Sequence, residues 1–351
     1  MLASTSRRFL AAMIALLTAG AGLIATTASP AAATGPAGIT PTCVAHLVPV
    51  RIADPGPVTE TLWGELCYPG DRRPSTVQLL VHGGYANHGY WASDVRGGYY
   101  SYVRAAVTAG YATFNVDRIG AGNSSHPHSS VVTGNAGAVA LHDAITALRS
   151  GTLDGHAFSK VIWVGHAVGS LHAWLEIPRY NDVDAAILTS ALHAYNMEHL
   201  LTVAENVHPA AADPAFADSG LDRGYFTTKP GTRAGMFFHP ATTDRAAAAA
   251  DEAGKDVFPI QQGETAPLPH QIRVPVLLVA GQKDFMYCDG VTEYDCTRPE
   301  TVRAFESQFY LPEARLQVVT IPLTGHALAL STSAPVTTAV MLKWALRTAA
   351  P

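Results

Sequence analysis

A chain of 351 residues, 48% hydrophobic and 15% charged, can bury a large core, as one big domain with an insertion or as two modest domains. Its net charge of −5 gives nucleic acid or an anionic membrane no evident basic surface to grip, and its fifteen histidines are scattered. Arg7 and Arg8 precede an apolar run from Phe9 to Ile24, and Ala31, Ala32 and Ala33 offer a small-residue cleavage site before Thr34. The run is short for a membrane span. Residues 1–33 are therefore expected to be a secretory signal, by the general or the twin-arginine route, and the mature chain to be extracellular without membrane attachment. Removing them takes two basic residues and no acid, which moves the charge from −5 to −7.

Next, "CVAHLVPVR" (43–51) and "TETLWGELCY" (59–68) read as an antiparallel pair, and "TVQLLVH" (76–82) as a short apolar strand buried on both faces. Helical spacing follows from Tyr99 to Ala109, then strand "YATFNV" (111–116), a Gly/Ser-rich loop and a helix from Ala136 to Arg149. The strand "KVIWVG" enters a turn, "SLHAWLEI" continues as helix, and "DAAILTS" (184–190), "VPVLLVAG" (274–281) and "LQVVTI" (316–321) are further strands. A helix from Pro335 to Thr348 closes the chain. Short apolar strands alternating with helices predict an α/β domain with a largely parallel sheet.

Between Ser190 and Val274 the rhythm breaks, with no convincing buried strand but helix-like "MEHLLTVAENV" and "TTDRAAAAADEAG". The expectation is a core of 34–193 and 273–351 with a mainly helical cap inserted at 194–272. Four cysteines in an exported chain suggest two disulfides. Cys43 and Cys67 sit in adjacent predicted strands, and Cys288 and Cys296 bracket a short acidic loop. That loop carries Asp289, Glu293 and Asp295, which read as solvated acids rather than a calcium site. His126-Pro127-His128 lacks a nearby third ligand and reads as a surface loop, so no metal is expected.

Chemistry in an open parallel sheet gathers at the carboxyl ends of the strands. Those ends here carry His82-Gly83-Gly84-Tyr85, "DRIGAGNSS" (117–125), Gly165-His166-Ala167-Val168-Gly169, "GQKD" ending in Asp284, and "PLTGHAL" with His326. Through "HGG", "DRIGAG", "GHAVG", "VPVLLVAGQKD" and "GHAL", in that order, the mature chain resembles the α/β-hydrolases, and among them an actinobacterial-like secreted serine esterase or lactonase. The resemblance implies a nucleophile elbow at 165–169, a triad acid at Asp284 and a triad base at His326. It also implies an oxyanion hole from the amides of Val168 and Gly84, with Tyr85 as a substitute for the latter. Asp117 and the glycines after it read as loop structure.

The elbow departs from the family at its centre. Ala167 stands where a nucleophilic serine is expected, and a methyl group cannot attack or be deprotonated. His166 and Ser170 are no replacements, because Ser170 lies on the helix side. Two explanations stand, a deliberate Ser→Ala replacement that preserves shape and stops turnover, or a natural non-catalytic relative. The intact remainder of the site favours the first.

No cofactor is expected, only a small or medium apolar ester or lactone handled through an acyl-serine. Tyr85, His166, Trp91 and Phe237 are the candidate pocket residues, with Tyr225, Phe226, Met236 and Phe238 as further cap aromatics and apolar groups. Two other readings use the same residues: a silent binding protein, and a non-hydrolytic lyase or cyclase that needs only His326 and Asp284.

Overall fold

A computed structural model describes residues 40–263, 266 and 268–351; the expected secretory signal at 1–33 lies outside the described residues. Strands β1 (Pro41–Val50) and β2 (Glu60–Pro69) open the fold as an antiparallel pair. Their register sets Cys43 directly opposite Cys67, and the two are disulfide-bonded with Cα atoms 4.0 Å apart. Then come β3 (Thr76–Val81), α1 (Val95–Gly98), α2 (Tyr102–Thr108), β4 (Ala112–Val116), α3 (Gly134–Ser150), β5 (Lys160–His166), α4 (Val168–Tyr180) and β6 (Ala185–Thr189). After the insertion, β10 (Val276–Gly281), α8 (Pro299–Glu306), β11 (Gln317–Ile321) and α9 (Ala334–Thr348) complete the core, numbering β7–β9 and α5–α7 within the insertion.

The eight core strands lie in the order β1-β2-β4-β3-β5-β6-β10-β11, with β2 antiparallel to both its neighbours and every pairing from β4 to β11 parallel. The continuous apolar runs in β3 and β5 follow from burial on both faces. Leu79, Val81, Val161 and Trp163 join one hydrophobic cluster, while Leu80, Ile162 and Val164 join the other. Side chains alternate across a strand, so a sheet covered by helices on both sides needs apolar residues at every position.

Several helices begin at a side-chain cap. Ser101 accepts a hydrogen bond from the Arg104 amide, Thr133 from Ala136, and Asn196 from His199. The helix expected from Tyr99 starts instead at Tyr102, behind a kinked turn with Arg96 and Gly97 at φ 52° and 67°.

The insertion holds α5 (Met197–Glu205), α6 (Arg233–Phe237) and α7 (Arg245–Ala253), as its helical spacing suggested. It also holds a small antiparallel sheet that the sequence reading did not anticipate, β7 (Val207–Pro209), β8 (Tyr225–Thr228) and β9 (Phe258–Pro259). Strands of two to four residues are too short to show a period of two, and these three pair only with each other. Among the described residues no helix is long and apolar enough to cross a membrane.

A close backbone contact joins β5, α4 and β3. A Cβ on Gly165 would stand 2.7 Å from the backbone of Gly169, and one on Gly169 would overlap the Val81 carbonyl oxygen. Both residues are therefore restricted to glycine by packing. Gly169→Ala should lower the free energy of unfolding by about 1–3 kcal/mol through overpacking, read as a lower urea midpoint. An unchanged midpoint would mean that α4 can move off β3 without cost.

Candidate active site

The absence of side chains at Gly165 and Gly169 lets β5 pass into α4 through one residue, Ala167. Ala167 takes φ 46° and ψ −114°, a conformation that costs a non-glycine residue about 1–3 kcal/mol. The surroundings enforce it. The Ala167 amide donates to the Thr189 carbonyl (2.9 Å), and its own carbonyl accepts from the amides of Ser170 and Leu171. Ser170 is committed to the same job, its Oγ donating to the Thr189 carbonyl at 3.1 Å. Val168 is the first residue of α4, so its amide is among those the helix ladder leaves unpaired.

Asp284 lies three residues past β10 and is fully buried. Its Oδ2 accepts from Nδ1 of His326 at 2.9 Å, and its Oδ1 from the Met286 amide at 3.0 Å. A charged acceptor on Nδ1 fixes the tautomer of His326 and leaves Nε2 as the proton acceptor. The loop beyond Asp284 is closed by the Cys288–Cys296 disulfide, with Cα atoms 5.6 Å apart. On the other side Ser190 Oγ donates to the carbonyl of His326 (2.9 Å), and the rings of Phe237 and Tyr287 lie 5.7 and 6.0 Å from the imidazole.

The loop after β3 is held from beneath. The Arg118 amide donates to Nε2 of His82 (3.1 Å), so Nδ1 carries the proton and donates to the Gly83 carbonyl at 2.9 Å. The Arg118 side chain adds bonds to the carbonyls of His82 and Gly83 and to Gln262 Oε1. From above, the Tyr85 carbonyl accepts from Arg233 Nη1 (2.8 Å) and from the Asp256 amide (3.0 Å). Arg233 is itself gripped by both oxygens of Asp251, each at 2.8 Å. Gly84 thus sits in a peptide segment clamped by core and cap. Asp117 serves the same loop structure, accepting from the amides of His88 and Asn123.

Two spaces meet at Ala167, and both are lined by Gly84, Ala167, Phe237 and His326. The smaller, about 30 Å³ and edged by His166, Tyr90 and Arg233, has room for a water. The larger, about 360 Å³, is walled mainly by apolar groups, including Tyr85, Leu171, Leu200, Val203 and Met286.

Of the expected pocket residues, Tyr85, His166 and Phe237 reach these spaces. Trp91 does not: it is fully buried against Tyr90 and Tyr102, one layer below His166, because the turn after Asn87 directs the neighbouring Tyr90 ring onto the imidazole instead. Tyr225, Phe226, Met236 and Phe238 also line neither space. Met236 and Phe238 pack into the core, and the Tyr225 hydroxyl donates to the Pro127 carbonyl. The walls also hold Leu200 and Val203 on α5, Tyr195, Tyr287 and the Arg233–Asp251 clamp, none of them signalled by the sequence. These come from separated segments of cap and core, and no spacing rule links them.

A family model described as the alpha/beta hydrolase family matches residues 78–339. Among solved structures, an esterase from Thermogutta terrifontis shares 18% identity at a TM-score of 0.60, covering 87% of this chain and 99% of that one. A carboxylesterase from Bacillus subtilis follows at 17% identity and 0.54, covering 86% and 90%. An esterase from Exiguobacterium antarcticum has 14% identity and 0.55, covering 85% and 98%. At these identities the likeness is one of fold. Comparison with curated protein sequences returns no match.

Three fully buried histidines surround the elbow. Burial, with the Arg118 charge, pushes His82 down to about 3, and the same two causes hold His172 near 3. Burial, then the neighbouring His326 and His82, holds His166 well below its ordinary value of 6.5. The unfolded chain therefore binds more protons than the folded one as pH falls below 6.5. The stability these groups contribute is full above that pH and is lost on acidification, at up to about 1.4 kcal/mol per pH unit for each. The urea midpoint should fall steeply between pH 6.5 and 4.5, with about three protons taken up on unfolding near pH 5. A flat profile would show that the rings already carry charge in the fold.

Proposed function

The chain belongs to the alpha/beta hydrolase family, and we propose that its site is that of a carboxylic ester hydrolase whose nucleophile position is occupied by Ala167. The observation that carries this reading is the strained backbone of Ala167 at a strand-to-helix turn, facing a cavity shared with an Asp284-paired His326. A serine hydroxyl at that position is a poor nucleophile until a base removes its proton. In the serine-bearing form His326 Nε2 takes that proton and the oxygen attacks the ester carbonyl. Asp284 holds the resulting imidazolium by its Nδ1–H. The amides of Val168 and Gly84 receive the negative charge on the carbonyl oxygen, aided by the N-terminal end of α4. His326 then returns the proton to the leaving alcohol, and water releases the acid by the same route in reverse.

The apolar cavity of about 360 Å³ favours a small or medium apolar acyl group over a polymer. A lactone suits a space roofed by α5 and bounded on several sides, since a compact ring needs no open groove. Two disulfides suit an oxidising, extracellular setting, in keeping with the leader-like residues 1–33. The esterases among the similar folds lend support to ester substrates. With alanine at 167 no acyl-enzyme can form, so the chain as written holds substrate without turning it over.

A paired assay of the mature chain and Ala167→Ser on p-nitrophenyl acetate, p-nitrophenyl butyrate and a panel of lactones tests the proposal. The serine form should gain at least about a thousandfold in kcat/KM, and His326→Ala added to it should abolish the gain. Equal turnover by both forms would point to chemistry that needs no nucleophile there. Binding without turnover in either would make the protein a ligand carrier. In the active form, Leu200→Trp should narrow the larger space and lower kcat/KM for butyrate more than for acetate, by about tenfold. An equal loss on both esters would place the acyl chain elsewhere.

A further inference from the structure

Away from Ala167, the packing of α3 on α4 brings together three side chains of metal-binding type. His142 comes from α3, Glu176 from the last turns of α4, and Asp182 from the loop that leaves it. Nδ1 of His142 lies 2.6 Å from Oδ2 of Asp182 and 3.8 Å from Oε1 of Glu176, and one ligand atom from each residue falls within 4.8 Å of the other two. Glu176 is fully buried and directed into this cluster. Among the described residues neither of its carboxylate oxygens has a hydrogen-bond partner outside this cluster, nor does Oδ1 of Asp182. No lysine or arginine of the described residues forms an ion pair with either carboxylate. Burying a carboxylate without a partner is costly, and buried acids are normally paired or coordinated to a metal.

We infer that His142, Glu176 and Asp182 form a binding site for a divalent transition metal of the zinc class, which ties α3 to the end of α4. One dication balances the two carboxylates, and an imidazole nitrogen beside them favours zinc over calcium or magnesium. Tetrahedral zinc with bonds of about 2.0–2.2 Å sets its ligand atoms roughly 3.3 Å apart. The separations of 2.6 and 3.8 Å from His142 bracket that figure, and all three ligand atoms lie within 4.8 Å of one another, so small side-chain shifts bring them to a common ion. Water completes the shell. The His142 ring is already oriented, stacked flat on Tyr180 at 3.6 Å and 7°. Since His142 and Asp182 are partly exposed, the ion can enter from solvent. The residues escape a sequence scan because the first lies 34 positions before the second, on a different helix.

The test uses the full mature chain without an affinity tag, stripped with EDTA, desalted and offered Zn²⁺. Metal retained after gel filtration is counted by mass spectrometry, and Tm is followed with and without Zn²⁺. The expected result is one zinc per chain and a Tm several degrees higher with the ion. His142→Ala, Asp182→Asn and Glu176→Gln should each reduce retention to background and remove the Tm response. If Glu176→Gln fails to fold, the two variants at partly exposed positions decide. Retention well below one zinc per chain, or retention that survives His142→Ala and Asp182→Asn, overturns the assignment.

Discussion

The contact between Gly165 and Gly169 is the constraint from which the rest of the site follows. Because neither residue carries a side chain, β5 and α4 come close enough for a single residue to span the turn. That residue must take φ 46°, its β-carbon must face the space above the sheet, and the next amide must open a helix. One packing fact thus sets the turn residue, the amide that follows it and a helix terminus together. The carbonyl of Thr189 on neighbouring β6 adds the external restraint, holding the Ala167 amide and the Ser170 hydroxyl at once.

Around that turn the protein buries several polar groups, and Arg118, His82 and Arg233 among them hold backbone. Arg118 is fully buried, and burial lowers its guanidinium to about 10, yet it stays charged at neutral pH. Its bonds go mostly to carbonyl oxygens, so its desolvation is offset by fixing the His82–Gly83 segment. Neutral His82 works with it, donating to one carbonyl while accepting from one amide, a pattern that a charged imidazole could not adopt. Arg233 repeats the arrangement from the cap, with Asp251 supplying the counter-charge inside the same clamp. The loop carrying Gly84 is therefore held in place from both sides, as the charge-stabilising role proposed for its amide requires.

What was legible in the sequence was local. Apolar runs of five to seven residues marked the core strands, since two-sided burial leaves no alternation to blur. The motifs at their carboxyl ends placed Asp284 and His326 without knowledge of the contact between them. The disulfides were legible for the same reason: Cys43 and Cys67 lie in strands joined by a short connection, and Cys288 and Cys296 share one loop. The cap sheet was hidden because its strands are shorter than the signal that reveals strands. The cavity wall was hidden because α5, the Tyr195 segment and the loop after Asp284 meet only in three dimensions. Trp91 was misassigned by proximity in sequence. It follows the oxyanion loop by only a few residues, but a capped turn at Asn87 sends it into the core.

Alanine at 167 fits the same geometry. The strain at this residue comes from the backbone, and alanine bears it as serine would, because both carry a β-carbon and neither is β-branched. Exchange of one for the other leaves the glycine contact, the Thr189 bonds and the His326–Asp284 pair untouched. Nearby hydroxyls cannot take over the chemistry. Ser170 is bound to Thr189, Ser124 donates to the Asp117 carbonyl, and Ser125 is held by Thr61, each as part of the scaffold. On the ester-hydrolase reading proposed above, the fold therefore keeps the cavity, the His326–Asp284 pair and the turn in place, and Ala167 differs from the expected serine by a single oxygen.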